Sequence, residues 1–252
     1  MANHLLLPAA TIFLTLLFLS PATATATAAD SVVVDIDGNP LEAGSQYYVL
    51  TSGSRGAGRG GLNAVPLGGI CPLYVGQHRS WNNRGSPVSF YPADLSQKNI
   101  TLSSDVNIAF GLSAMCRNQG VWQLSSNELG VFYITTNGEI GNPGAETFTN
   151  WFKIEKLPFP KSNSYRIVYC FAVPKPGPEP VHVVPDSRRT GPESVVPTEY
   201  CQQLDATLPG PWDLSMLSLV PIDNPLPFFG FVFKKVTTTT TTASTTTASS
   251  SY

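Results

Sequence analysis

Few side chains in this sequence have the types and spacing that catalysis requires. The histidines are His4, His78 and His182, and the sequence contains neither an H-E-x-x-H nor a G-x-S-x-G motif. Asp35 and Asp37 stand two residues apart, a spacing that suits a turn, because short carboxylates accept hydrogen bonds from nearby backbone amides. No pattern points to a distant carboxylate pair of the glycosidase kind. The sequence therefore predicts a protein that is not an enzyme.

The cysteines suit structural disulfides better than a metal site. They are Cys71, Cys116, Cys170 and Cys201. In an oxidising compartment an even number of cysteines predicts disulfides, and four cysteines allow three connectivities. No C-x-x-C pair is present, which argues against zinc. The sequence predicts no metal and no cofactor.

A segment between Cys71 and Cys116 has the features of a presented loop. Residues 90–101 read FYPADLSQKNIT and show little strand or helix periodicity. Pro92 fixes its own φ and forces Tyr91 into an extended conformation. Such a loop suits binding in a partner's cleft, although the residues alone favour a plain surface connection. The candidate contact residues are Pro92, Ala93, Asp94, Leu95 and Ser96.

Both ends of the chain differ in composition from the middle. Residues 5–19 are mostly apolar, and Ala26-Thr27-Ala28 has the small-x-small pattern of a cleavage site, so residues 1–28 are predicted to be a signal peptide. The apolar run is shorter than the roughly 20 residues that a membrane span needs. Residues 237–252 are nearly all Thr, Ser and Ala, which predicts a disordered tail without a lipid anchor. One domain is expected over residues 29–236, in a secreted or vacuolar protein with no membrane contact after signal removal.

The composition indicates an all-β domain. A formal net charge of −2 and 13% charged residues give no basic face for nucleic acid. The 21 glycines and 22 prolines accompany many aromatic and β-branched residues, and helical periodicity is nowhere sustained. Asp37-Gly38-Asn39-Pro40 predicts a turn, residues 45–51 and 73–77 predict strands, and Asn137-Gly138 predicts a two-residue hairpin. The glycine-rich residues 51–61 lack the phosphate-binding pattern and predict a flexible loop.

The sequence resembles the plant Kunitz inhibitors of the soybean trypsin inhibitor type along nearly the whole predicted domain. The matching segments include D-x-D-G-N-P-L followed by Y-Y-V-L at residues 35–50, I-C-P-L at 70–73, G-S-P-V-S-F at 85–90 and V-N-I-A-F at 106–110. W-F-K-I-E-K at 151–156 and F-V-F-K-K at 231–235 continue the series. The resemblance implies a β-trefoil, with twelve strands in three pseudo-repeats that form a six-stranded barrel and a hairpin cap.

The resemblance also implies the disulfide pairing. It pairs Cys71 with Cys116 and Cys170 with Cys201. The family closes its second pair over a short loop, whereas here the proline-rich residues 171–200 intervene and predict an extended, weakly structured insertion. Arg188-Arg189 within the insertion is a candidate site for nicking by a trypsin-like protease. An ordinary solvated loop is the alternative explanation.

For function, the resemblance implies an endopeptidase inhibitor that acts as a monomer through a loop near residues 91–98. The family pattern places Asp94 at the position that enters the S1 pocket of the protease, between Ala93 and Leu95. A trypsin pocket holds a buried aspartate and demands Lys or Arg, so Asp94 there would oppose two carboxylates. The family asparagine that braces the loop is replaced by Ala43. The sequence therefore predicts weak trypsin inhibition or none.

Three functions remain open at this point. The chain is expected to inhibit another protease class, or a serine protease that accepts Leu95 or Ala93. Alternatively, it is a non-inhibitory storage, defence or ligand-binding member of the same family, or it inhibits a glycosidase such as an amylase. Asn99-Ile100-Thr101 is a sequon, so a glycan is expected at Asn99.

Overall fold

The computed structural model describes residues 31–52, 59–66, 69, 71–111, 120–158, 163–173, 198–210, 213–222 and 230–237. The predicted signal peptide, Cys116, the Arg188-Arg189 pair and residues 238–252 of the predicted tail lie outside the described residues. Within the described ranges, no helix is long and apolar enough to cross a membrane.

Twelve strands occupy the described part of the chain and belong to one hydrogen-bonded sheet. The order along the sheet is β5-β4-β1-β12-β9-β10-β11-β3-β7-β6, with β2 paired to β3 and β8 paired to β9. A 3-10 turn spans Phe148–Asn150. The strands are β1 Gln46–Thr51, β2 Leu62–Val65, β3 Tyr74–His78, β4 Val88–Pro92, β5 Val106–Phe110, β6 Gln123–Ser126, β7 Phe132–Thr135, β8 Lys153–Lys156, β9 Tyr165–Val173, β10 Thr198–Pro209, β11 Leu214–Pro221 and β12 Phe231–Lys235.

Burial alternates along the first and last strands, so each of them points one face inward. In β1, Tyr47 and Val49 are fully buried, while Gln46 is exposed. In β12, Phe231 and Phe233 are buried at the same spacing of two residues. Because side chains alternate across a strand, the two strands cover one shared core. β1 and β12 pair antiparallel, so the beginning and the end of the domain close on each other.

Aromatic rings connect the parts of the core. Phe90 lies 6.2 Å from Tyr47 and 5.2 Å from Phe233 between ring centroids. Trp122 in turn contacts Phe152 edge-on at 6.1 Å. Such tilted and edge-on pairs stabilise a core beyond the burial of their area, by about 0.5–1.5 kcal/mol each.

The first turn forms as the sequence predicts. Asp35 is buried, and its Oδ1 accepts hydrogen bonds of 2.9 Å from the backbone amides of both Asp37 and Asn39. Gly38 has a φ of 84°, in the left-handed region that glycine tolerates. The carboxylate of Asp35 therefore stabilises a turn, as its spacing indicates.

The predicted hairpin at Asn137-Gly138 is wrong. β7 pairs with β6, and the hairpin turn lies at Asn127, whose Oδ1 accepts hydrogen bonds from the backbone amides of Leu129 and Val131. Gly138 does not take a positive φ, and its amide donates to the carbonyl of Val121 at 2.9 Å. A Cβ on Gly138 would lie 2.7 Å from the Trp122 carbonyl oxygen, so this glycine permits close backbone packing.

Candidate functional site

The predicted contact segment leaves the end of a buried strand. β4 runs through Pro92, which is buried and pairs with Val106 of β5. The segment therefore begins as regular strand, and the free loop is residues 93–98, named here the Leu95 loop. The Ala93 amide donates a 2.9 Å hydrogen bond to the Asp105 carbonyl. The N-terminal side of the loop is thus fixed to the residue that precedes β5.

Asp94 is exposed and bonded within its own loop. Its Oδ1 accepts hydrogen bonds from the Ser96 amide at 3.0 Å and the Ser96 hydroxyl at 2.7 Å. These two bonds hold the pKa of the Asp94 carboxyl below its ordinary value of 3.8, the side-chain bond contributing most. The Gln97 amide donates to the Asp94 carbonyl at 3.0 Å, which closes a turn over residues 94–97.

The N-terminal segment of the domain braces the base of this loop through its backbone. The Ala43 amide donates to the Lys98 carbonyl at 2.8 Å, and the Gly44 amide donates to the Phe90 carbonyl at 2.9 Å. An antiparallel bridge pairs Glu42 with Asn99. The Ala43 side chain packs against the core and has no polar group. The base is therefore closed by main-chain bonds where the resemblance expects an asparagine side chain.

The interior of the loop retains an unmatched acceptor. Among the described residues, the buried Oε1 of Gln97 has no hydrogen-bond partner. A buried acceptor without a donor costs about 1–3 kcal/mol relative to a paired one. The Leu95 loop is therefore anchored by hydrogen bonds at its two ends, but it contains a buried acceptor that lacks a donor.

Leu95 is the side chain that the loop presents most clearly. It is 68% exposed, whereas Ala93 is half-buried and Ser96 is bonded to Asp94. An exposed leucine held on an anchored loop is a candidate for insertion into an apolar pocket of a partner. The structure thus gathers Ala93, Asp94, Leu95 and Ser96 on one loop and places Pro92 in the strand below it.

An ion pair at the base of the loop was not predicted from the sequence. Lys235 Nζ lies 2.5 Å from Glu42 Oε2, and Ser45 Oγ donates to the same oxygen at 2.9 Å. The hydrogen bond from Lys235 is the main cause that lowers the pKa of Glu42. These residues are 193 positions apart in the chain. No local pattern relates them, so only the β1–β12 pairing reveals their contact.

The second expected disulfide is present. Cys170 and Cys201 are joined at an S–S distance of 2.04 Å and face each other across β9 and β10. The ladder continues beyond the disulfide to the pair Val173 and Thr198. Part of the segment expected to be weakly structured is therefore regular sheet. Cys71 is disulfide-bonded, and its predicted partner Cys116 lies outside the described residues.

The sequon lies directly after the Leu95 loop. Asn99 is half-buried, and the Thr101 hydroxyl donates to Ser104 Oγ at 3.0 Å. A glycan at Asn99 stays a prediction. Within the described ranges, no group of three His, Cys, Asp or Glu side chains could hold a metal ion.

Comparison with known proteins agrees with this architecture. Residues 33–190 match the family model described as "Kunitz_legume: Trypsin and protease inhibitor". The chain is 45% identical to the 21 kDa seed protein of Theobroma cacao over 52% of this chain and 61% of that protein. It is 34% identical to the endogenous alpha-amylase/subtilisin inhibitor of Triticum aestivum over 55% of this chain and 77% of that protein.

The solved structure of soybean trypsin inhibitor superposes with a TM-score of 0.54, covering 81% of this chain and 99% of that chain at 18% identity. At this identity the superposition shows the fold alone. The fold is a β-trefoil, as expected.

Proposed function

The chain belongs to the Kunitz legume family of trypsin and protease inhibitors, and from this premise we propose that it inhibits a serine endopeptidase with an apolar S1 pocket. The contact is the Leu95 loop, and Leu95 is the side chain that enters the pocket. The observation that carries the proposal is the 68% exposure of Leu95 on a loop that is hydrogen-bonded at both ends. The protein acts as a binding partner of an enzyme and is not itself an enzyme.

Pre-organisation is the physical basis of such inhibition. A loop that is already ordered loses little conformational entropy when it docks, so more of the contact energy appears as affinity. The backbone bonds of Ala43 to Lys98 and of Gly44 to Phe90 supply part of this order. The name of the wheat relative, which includes subtilisin, supports a target of this kind.

Trypsin is disfavoured by charge. Both Asp94 and the residue at the base of a trypsin pocket carry a carboxylate, and two such charges repel strongly when water is excluded. Asp94 is moreover engaged by Ser96 through two hydrogen bonds, which docking in the pocket would break. Leu95 requires no such loss.

One observation favours a second candidate function, a non-inhibitory storage or defence protein. Substrate-like inhibitors present an extended backbone to the protease, whereas the Gln97 amide closes a turn onto the Asp94 carbonyl. Docking in a protease cleft would open that turn. The name of the cacao relative, a seed protein, is compatible with this alternative.

The test is a titration of the purified protein against subtilisin, chymotrypsin, trypsin, papain and an α-amylase. We expect inhibition of subtilisin or chymotrypsin, with slow dissociation. Leu95→Ala should weaken it by roughly tenfold or more, since a central anchor contributes about 1.4 kcal/mol or more. Leu129→Ala is the matched control, because Leu129 is 87% exposed on a different turn, and it should leave inhibition unchanged.

The alternatives give distinct results. Inhibition of none of these enzymes would favour the non-inhibitory function, and inhibition of the amylase alone would favour a glycosidase target. Nanomolar inhibition of trypsin would refute the Leu95 loop as the contact and direct attention to the Arg188-Arg189 segment. Asp94→Arg combined with Ala43→Asn should create trypsin binding by adding an ion pair and a side-chain brace. No trypsin binding by this variant would argue against residue 94 as the position that enters the pocket.

The proposal also includes the localisation, processing and oligomeric state of the protein. It enters the secretory pathway, loses residues 1–28, reaches the exterior or the vacuole, and carries a glycan at Asn99 as a monomer. N-terminal sequencing and glycopeptide mass spectrometry of protein from the native source test these points. A chain that begins at Met1, or an unmodified Asn99 peptide, would contradict them.

A further inference from the structure

A second loop, at the other end of β4, is fixed by unusually close backbone packing. Residues 79–85, named here the Trp81 loop, connect β3 to β4. The Gly61 amide donates to the Asn83 carbonyl at 2.7 Å, and the Gly60 amide donates to the His78 carbonyl at 2.6 Å. A Cβ on Gly61 would lie 1.8 Å from the carbonyl oxygen of Arg84. Only glycine allows this approach, so the loop rests directly on a glycine backbone.

The Trp81 loop exposes side chains that make no contribution to the core. Trp81 is 73% exposed, which is unusual for the largest apolar side chain. Asn82 and Arg84 are also exposed, and within the described residues their side chains make no hydrogen bond or ion pair. The Asn83 side chain, in contrast, stabilises the loop itself. Its Oδ1 accepts a 3.0 Å hydrogen bond from the Gly85 amide. The loop therefore holds free polar groups beside an exposed indole.

Asn82 and Arg84 border a cleft. A cavity of about 600 Å³ lies between the Trp81 loop, β2 and the start of β11, and its polar lining includes Asn63, His78, Asn82, Arg84 and Asp213. The volume falls within the usual range of small-molecule sites, about 300–1,000 Å³. The side chains of His78 and Asp213, like those of Asn82 and Arg84, have no hydrogen-bond partner among the described residues. The cleft thus combines a suitable size with polar side chains that no described protein group pairs.

We propose that this cleft binds a neutral saccharide. Sugar rings carry neighbouring hydroxyls that both donate and accept, and the planar amide, carboxylate and guanidinium groups of Asn82, Asp213 and Arg84 match such pairs. The apolar C–H face of a sugar stacks on an aromatic plane, and Trp81 is an exposed indole between Ser80 and Asn82, which both line the cleft. The formal charges of Arg84 and Asp213 offset each other, which favours a neutral ligand over an acidic one.

The site is independent of the proposed protease contact. The Trp81 loop enters β4 at Val88, and the Leu95 loop leaves β4 at Pro92. Five strand residues separate the two loops by roughly 15 Å. A saccharide in the cleft would therefore leave Leu95 free, and loss of one activity does not predict loss of the other.

The test is a titration of ¹⁵N-labelled full-length protein with cellotriose, chitotriose, mannotriose and, as a charged comparison, trigalacturonate. We expect at least one neutral trisaccharide to shift the Trp81 indole resonance with a dissociation constant of about 1 mM or below. Trp81→Ala should weaken binding by roughly tenfold, and Asp213→Asn by roughly threefold. Phe148→Ala is the control, because Phe148 is 59% exposed outside the cleft. It should leave binding unchanged.

Several results would overturn the proposal. These are no shift with any neutral trisaccharide at about 10 mM, binding of trigalacturonate alone, or equal binding by Trp81→Ala and the unaltered protein. If Trp81→Ala lowers the melting temperature, its weaker binding has two explanations, and the affinities of Asp213→Asn and Asn82→Ala test the site instead. Both residues are exposed and make no side-chain hydrogen bond in the described structure, so these variants should fold normally. Unaltered affinity in both would refute the cleft as the binding site.

Discussion

The loops at the two ends of β4 are fixed by different means. The Trp81 loop lies against the backbone of Gly60 and Gly61, at distances that leave no room for a side chain. The Leu95 loop is held by hydrogen bonds: the Asp94 carboxylate accepts one from the Ser96 amide, and the Ala43 amide donates one to the Lys98 carbonyl. The Trp81 loop adds close backbone packing to its hydrogen bonds, whereas the Leu95 loop is held by hydrogen bonds near its surface.

The difference affects which amino-acid substitutions each loop tolerates. Overlap of backbone atoms cannot be relieved by rotating a side chain, so few substitutions are permitted at the glycines that pack in and beneath the Trp81 loop. Surface hydrogen bonds exchange with water at small net cost. The residues of the Leu95 loop can therefore change with little effect on the fold, which suits a segment that determines which partner binds.

The largest effect should come from adding a methyl group to Gly85, where the Trp81 loop packs against the backbone of β2. Gly85 has a φ of 71°, and a Cβ there would lie 1.9 Å from the Leu62 carbonyl oxygen. Gly85→Ala should lower the free energy of unfolding by about 3–5 kcal/mol, the sum of left-handed strain and overpacking. Thermal unfolding should show a melting temperature lower by roughly 10 °C.

The matched control is Gly38→Ala. Gly38 also has a positive φ, 84°, but no atom lies within 4 Å of a Cβ placed there. Only the left-handed strain applies, so the loss should be about 1–2 kcal/mol. Equal losses in the two variants would mean that close packing is not what fixes the Trp81 loop.

An intermediate effect is expected in the Leu95 loop. Ser96→Ala removes the hydroxyl that donates to Asp94 Oδ1 at 2.7 Å and leaves the backbone bond in place. The fold should be unaffected, while the loop opens more often. Cleavage of residues 93–98 by a non-target protease should become faster by roughly three- to tenfold. Mass spectrometry of the fragments gives the rate.

Ser125→Ala serves as the comparison, because Ser125 lies in β6 and its hydroxyl bonds to Thr135. The Ser125→Ala variant should be cleaved within residues 93–98 at the same rate as the unaltered protein. Identical rates for Ser96→Ala and the unaltered protein would show that the bonds of Asp94 do not order the loop.

The smallest effect is a difference in pH response between the loops. Hydrogen bonds from Ser96 lower the pKa of Asp94 below 3.8 in the folded protein. A lowered folded pKa stabilises the loop at pH values above the unfolded pKa, and that contribution is lost as pH falls through the folded pKa. The chemical shift of the Ser96 amide should therefore change as the pH falls below 3.8 and Asp94 becomes protonated.

The Gly61 amide bonds to the Asn83 carbonyl, and neither group titrates, so its resonance should stay nearly constant. Ser96→Ala should bring the pKa of Asp94 back toward 3.8. NMR titration of both amides and of the Asp94 carboxyl measures the contrast. A Ser96 amide that does not respond to pH would remove Asp94 as the organiser of the loop.

The sequence by itself determined the features that depend on neighbouring residues. The Asp35 turn follows from a short carboxylate two and four positions before the amides it accepts from. The strand at residues 46–51 follows from its tyrosines and valine, which favour extended backbone. The family resemblance added the β-trefoil and the Cys170–Cys201 disulfide, and both are confirmed.

Only the tertiary structure decided whether a glycine forms a turn or permits close backbone packing. Asn137-Gly138 has the composition of a hairpin turn, yet Gly138 packs against the Trp122 carbonyl. Residues 51–61 have the composition of a flexible loop, yet Gly60 and Gly61 support the Trp81 loop. A glycine permits both a positive φ and a close backbone approach. Which of these is used depends on atoms far away in the chain, and no local pattern records where those atoms lie.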